Sequence, residues 1–233
     1  LQADKNTVVW SGGTIAATST ATLKGQSVSV SEGEITAASA SLTAAANISL
    51  NSGSILANTT TITATSGAIT EADGFALATP VLNTFAAWIT NLASKANQLE
   101  QVNINNAGAS VTIGSTNSEN SNALQIKTNA QIVGNLTVTN YNDGSANVNA
   151  IEVPNQLQAN GTITLINKET AIVVDENASI TATDVGIEAT EITVAGQLTA
   201  ANATNLNAGS IAVNGTVNTT SGTPTLTSTG NLT

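Results

Sequence analysis

Ile151-Glu152-Val153, Ile172-Val173-Val174, Ile192-Thr193-Val194 and Ile211-Ala212-Val213 follow one another at steps of 21, 20 and 19 residues. A nearly constant interval of about twenty residues marks a stacked repeat, in which each unit hides its apolar face against the next. Three of the four triplets continue in the same rhythm, as Asn155-Gln156-Leu157, Gly196-Gln197-Leu198 and Gly215-Thr216-Val217. A second register opens the chain: Gly13-Thr14-Ile15, Gly33-Glu34-Ile35 and Gly53-Ser54-Ile55, two steps of twenty residues. Between these signatures the pattern alternates, as in Ser27-Val28-Ser29-Val30 and Thr61-Ile62-Thr63. Residues two apart share a face of a strand, so Val28 and Val30 point inward while Ser29 faces water. Gly, Asn and Ser mark the corners. Short strands wound so that each coil lies on the previous one define an all-β chain, a right-handed parallel β-helix of about twenty-residue coils, about eleven of them.

Composition agrees with a rod. Aromatic residues make up 2% of the 233-residue chain and hydrophobic ones 41%, so the core consists of Ile, Val, Leu and Ala. Small aliphatic side chains fill space well as like residues stacked on like. Charged residues are only 9%, which leaves a surface dominated by Thr, Ser and Asn. The five basic residues are all lysines (Lys5, Lys24, Lys95, Lys127, Lys168), scattered in a chain of formal net charge −10. No basic stripe exists to hold a phosphate backbone, which argues against nucleic acid and anionic membrane partners. No run reaches the ~20 apolar residues of a spanning helix, and no membrane insertion is expected. Neither a signal peptide nor any methionine is present, so the chain reads as a segment of a longer polypeptide.

The pattern falters between 79 and 102. Thr79-Pro80 suits a helix start, and Val81, Phe85, Trp88, Leu92, Ala96 and Leu99 fall close to helical spacing. An irregular or partly helical insertion is therefore expected at 79–102, between solenoid coils at 1–78 and 103–233. The alternative is a longer irregular coil, with Ala87-Trp88-Ile89 as a strand and Asn97-Gln98-Leu99 as a corner. Polar loops are expected at 114–122 and 140–149.

The chemistry of the chain is restricted. Without His or Cys, the Ser-His-Asp and Cys-His nucleophile systems and the common zinc sites are excluded, and no catalytic residue, metal or cofactor is assigned. The candidate carboxylate pairs for glycoside cleavage are Glu32 with Glu34, Asp175 with Glu176, and Asp184 with Glu188 or Glu191. Arginine is absent and aromatic platforms are nearly so, hence these acids read as solvated surface. Tyr141-Asn142-Asp143-Gly144 is a fair turn rather than a calcium loop. Nine Asn-x-Ser/Thr triplets are about what this composition yields by chance, and asparagines at coil corners are expected to stack as amide ladders.

Some runs resemble a known family. Thr65-Ser66-Gly67-Ala68-Ile69-Thr70-Glu71-Ala72 looks like the motif of filamentous-haemagglutinin-type repeats. Ala96-Asn97-Gln98-Leu99 is similar to the Asn-centred corner of that family, and Gly134-Asn135-Leu136-Thr137-Val138 and Ala195-Gly196-Gln197-Leu198-Thr199 resemble its strand openings. The resemblance implies a large exported bacterial adhesin, secreted by the two-partner route and located at the cell surface or outside the cell. The secretion domain of that family carries an Asn-Pro motif, whereas the prolines here are Pro80, Pro154 and Pro224 in other contexts. That domain is expected outside this segment.

The leading functional reading is a structural and adhesive rod segment that mediates or spaces attachment to a host or neighbouring cell, with glycans among its expected ligands. Alternatives are a carbohydrate-active β-helix of tail-spike-like glycosidase type and a surface-layer or fibre module that self-associates along the rod. Loops and irregular segments on a rigid scaffold carry contacts more often than its coils. The candidate contact residues are therefore Phe85, Trp88, Asn117, Asn122, Tyr141 and Asp143. For Trp88 the competing reading is that it caps a patch of the core.

Overall fold

A computed structural model describes residues 1–105, 108–116, 123–141 and 150–233. The chain is all-β, and every strand pairing is parallel. Each coil bonds to the coil about twenty residues before it and the one about twenty residues after it. One interior column runs the length of the chain: Val8, Val28, Ile48, Ile69, Thr90, Val111, Leu136, Ile163, Val185 and Thr204, each opposite the next. All ten are buried. The body is thus a parallel β-solenoid of about ten turns.

A second column contains Val30 and Leu50, then, from Ile113 on, Val138, Leu165, Ile187, Leu206 and Leu226. The triplets that reveal the period stack as the spacing requires. Ile151 lies opposite Ile172, Ile172 opposite Ile192, and Ile192 opposite Ile211, all buried. Like placed on like brings identical branched side chains into contact at every step, so apolar area is buried on both faces of each coil.

Residues 79–102 belong to the stack. Strands Phe75–Ala86, Thr90–Leu92 and Gln98–Ile104 pair with the coils on either side, and the described residues include no helix, hence none long and apolar enough to cross a membrane. Neither reading of this stretch is met as stated. No helix forms, Ala87-Trp88-Ile89 is the bend between Phe75–Ala86 and Thr90–Leu92 rather than a strand, and Gln98 and Leu99 open strand Gln98–Ile104 rather than forming a corner. Pro80 fits because it sits at a corner where the ladder is interrupted: Leu56 pairs with Ala78 and Thr59 with Val81, and the two residues between are skipped. A residue without an N–H costs nothing there.

The glycine register also has a backbone reason. Gly13, Gly33 and Gly53 stand opposite one another, and Gly53 has φ 111°. A Cβ on Gly53 would collide with the Gly33 carbonyl oxygen, and one on Gly33 would collide with the Trp10 indole. The period is longest between 102 and 163, where Val111 pairs with Leu136 and Leu136 with Ile163. Asparagines do stack between coils: Asn103 Nδ2 donates to Asn83 Oδ1 at 2.9 Å, and Asn129 Nδ2 to Asn105 Oδ1 at 2.7 Å.

Candidate functional site

Of the six nominated contact residues, Asn117, Asn122 and Asp143 lie outside the described residues. The other three are separated rather than gathered. Phe85 is half-buried opposite Thr63 on the outward side of its strand. Tyr141 is half-buried at the end of Leu136–Tyr141, with the Lys95 ammonium 5.3 Å from its ring centroid. Trp88 is 64% exposed, so it presents its indole to solvent instead of capping the core. It lines a shallow depression of about 340 Å³ with Ala87, Gly108, Ala109 and Val133. Val133 is itself 56% exposed. A tryptophan and a valine side by side on a surface otherwise rich in hydroxyls form a small apolar patch.

Two of the acids named from the sequence make surface contacts. Glu188 makes an exposed ion pair with Lys168 at 3.4 Å, and Glu34 Oε2 accepts from Thr14 Oγ1 at 3.4 Å. Among the described residues, no three His, Cys, Asp or Glu side chains are placed to hold a metal ion.

The unusual acid is Glu71. Leu50 lies opposite it one coil earlier, so it stands in the second interior column, which runs Trp10, Val30, Leu50 up to this point and holds Ile, Val or Leu again from Ile113 on. Its Oε2 accepts from the Ser94 backbone N–H at 2.9 Å and from Asn97 Nδ2 at 2.8 Å. Its Oε1 is buried and has no hydrogen-bond partner. Burial pushes the carboxyl up from 4.5 to about 7; the bonds from Ser94 and Asn97 pull the other way, and Asp73 nearby adds to the rise. Asn97 is fully buried and joins three coils: its Oδ1 accepts from the Leu77 N–H at 2.9 Å, and its Nδ2 also reaches the Gly114 carbonyl at 3.3 Å. Ser94 Oγ donates to the Phe75 carbonyl at 2.7 Å, and Ser115 Oγ accepts from the Leu99 N–H at 3.0 Å. The sequence contained the signal. Ile69-Thr70-Glu71 repeats Ile48-Ser49-Leu50 at a step of 21, which places Glu71 where Leu50 points inward.

A third feature flanks the Pro80 corner. Before the corner, Thr36, Leu56, Ala78 and Gln98 form an outward column, each opposite the next, along a depression of about 470 Å³. After the corner, Val81, Gln101, Gln125 and Glu152 do the same along a depression of about 430 Å³, which Glu100 also lines. The exposed Pro80 borders both. The first half is mainly apolar, with Leu56 52% exposed, and the second presents amides and carboxylates.

Comparison with known protein families, curated proteins and solved structures finds no match to this chain.

Proposed function

We propose that this chain is a structural and adhesive rod segment of a large exported bacterial surface protein, of the filamentous-haemagglutinin kind that its repeats resemble. The observation that supports this reading is the unbroken interior column from Val8 to Thr204. Such a stack holds its outward residues at fixed intervals along one axis, which suits spacing and display. The outward positions are chiefly Thr, Ser, Asn and Gln, with few charges. Contacts through such a neutral surface are weak singly and gain strength when many copies act together. The Trp88 and Val133 patch is the best single anchor, because tryptophan dominates contact energetics where it can be desolvated. The partner is a host or neighbouring cell surface.

Beads coated densely with the chain are expected to hold to cells far more strongly than sparsely coated beads. Trp88→Ala should reduce the single-contact affinity about tenfold while leaving the melting temperature unchanged, since the indole is outside the core. Adhesion that ignores coating density and survives Trp88→Ala would sink this reading. Ordered arrays formed by the purified chain alone would favour the self-assembling fibre instead.

A further inference from the structure

We infer that the concave flank at Pro80 binds a neutral polysaccharide lengthwise, with successive sugars lying along successive coils. This deepens the adhesive reading by naming a ligand class, and it concerns a surface separate from the Trp88 patch. Two outward columns flank the exposed Pro80: Thr36, Leu56, Ala78 and Gln98 on one side, and Val81, Gln101, Gln125 and Glu152 on the other. Each covers four consecutive coils in the register of the strand ladder, and because they overlap in the coils of Ala78 with Val81 and Gln98 with Gln101 they reach six coils together. Coils stack at about 4.8 Å, so the six span roughly 24 Å along the axis. A hexose unit in a linear chain is about as long as one coil is high, so a repeating ligand meets a repeating set of side chains without losing step.

The chemistry of the lining then selects the ligand. Gln101 Nε2 donates to Asn103 Oδ1 at 3.0 Å and Gln125 Nε2 to Glu152 Oε2 at 3.2 Å, which leaves each amide a second N–H and its carbonyl oxygen for a partner. Vicinal hydroxyls, each both donor and acceptor, match amides and carboxylates of this kind. Leu56, Pro80 and Val81 give an aliphatic floor for the C–H face of a sugar ring. No lysine lines either depression, Glu100 and Glu152 are acidic, and the whole chain carries −10, so an anionic polymer would be repelled. An extended peptide would gain little. The strands beneath the flank already have neighbours on both sides, so there is no open edge on which main-chain hydrogen bonds could add a strand.

The test titrates the chain with cellulose-, amylose- and mannan-derived oligomers of increasing length, with heparin as an anionic polymer and oligolysine as a cationic peptide. At least one neutral oligomer should bind, gain affinity with length until the flank is filled, and lose about tenfold in the Gln101→Ala/Gln125→Ala double variant. Both glutamines are on the outer face, so the melting temperature of the variant should match the parent. Trp88→Ala should leave this binding intact. Preference for heparin or oligolysine, absence of binding by every neutral oligomer, or affinity indifferent to the double variant would overturn the inference. Bead adhesion that fails while oligomer binding persists would remove the adhesive reading and keep the groove. Release of reducing ends that Glu100→Gln abolishes would likewise keep the groove and make the protein an enzyme.

Discussion

At the scale of one residue, Glu71 makes the stability of the rod depend on pH. In the folded chain its carboxyl holds a proton up to about pH 7, whereas in the unfolded chain it loses that proton near 4.5. Between those values the folded state binds the extra proton, so stability is highest below pH 4.5 and falls as pH rises towards 7. The loss attributable to this group is roughly 3 kcal/mol. Glu71→Gln keeps the shape and an acceptor for Ser94 and Asn97 but cannot ionise. Its melting temperature, compared with that of the parent across pH 4.5 to 8, should be nearly level while the parent declines; parallel curves would show that the Glu71 carboxylate is solvated after all. The family-like motif around Glu71 does not show its inward direction; that direction emerges only when Ile69-Thr70-Glu71 is aligned with Ile48-Ser49-Leu50 one coil earlier, the register that the stacked coils adopt. Trp88 illustrates the opposite difficulty. A large aromatic beside Ala87 and Ile89 reads equally as core or as surface, and the bend at 87–89 decides it.

At the scale of the coil, the interior column of Ile172, Ile192 and Ile211 provides the sharpest contrast. Ile192→Asp puts an unpaired charge between two buried isoleucines and should cost upward of about 4 kcal/mol. Thr193, opposite Val173 and Ala212 on the outward side, should accept Asp for about 1 kcal/mol or less. Equal melting shifts for the two variants would mean that the register is wrong. This column was legible because its repeats are uninterrupted. The stretch 79–102 was not, for two physical reasons. At the corner two successive residues, Pro80 and Val81, face outward, so the alternation slips by one and leaves Val81, Phe85 and Trp88 at near-helical spacing. Thr79, Thr84 and Thr90 are buried, and a polar residue on the inner face hides the alternation that would have marked a strand. The Pro80 flank was hidden for a related reason, since its lining residues Leu56, Val81, Gln101, Gln125 and Glu152 lie in different coils and are neighbours only after stacking.

At the scale of the whole molecule, about ten turns at about 4.8 Å each give a rod roughly 50 Å long. Small-angle scattering should return an elongated particle, and a compact sphere would contradict the stack. The same architecture has a consequence in time. Every strand pairing joins residues 18 to 27 positions apart, the widest steps falling between 102 and 163. A chain that emerges from one end through a narrow opening therefore never waits for a distant partner: each new coil finds its whole template in the coil just laid down. Order of synthesis and order of folding can coincide, and the rod can grow as fast as it is delivered.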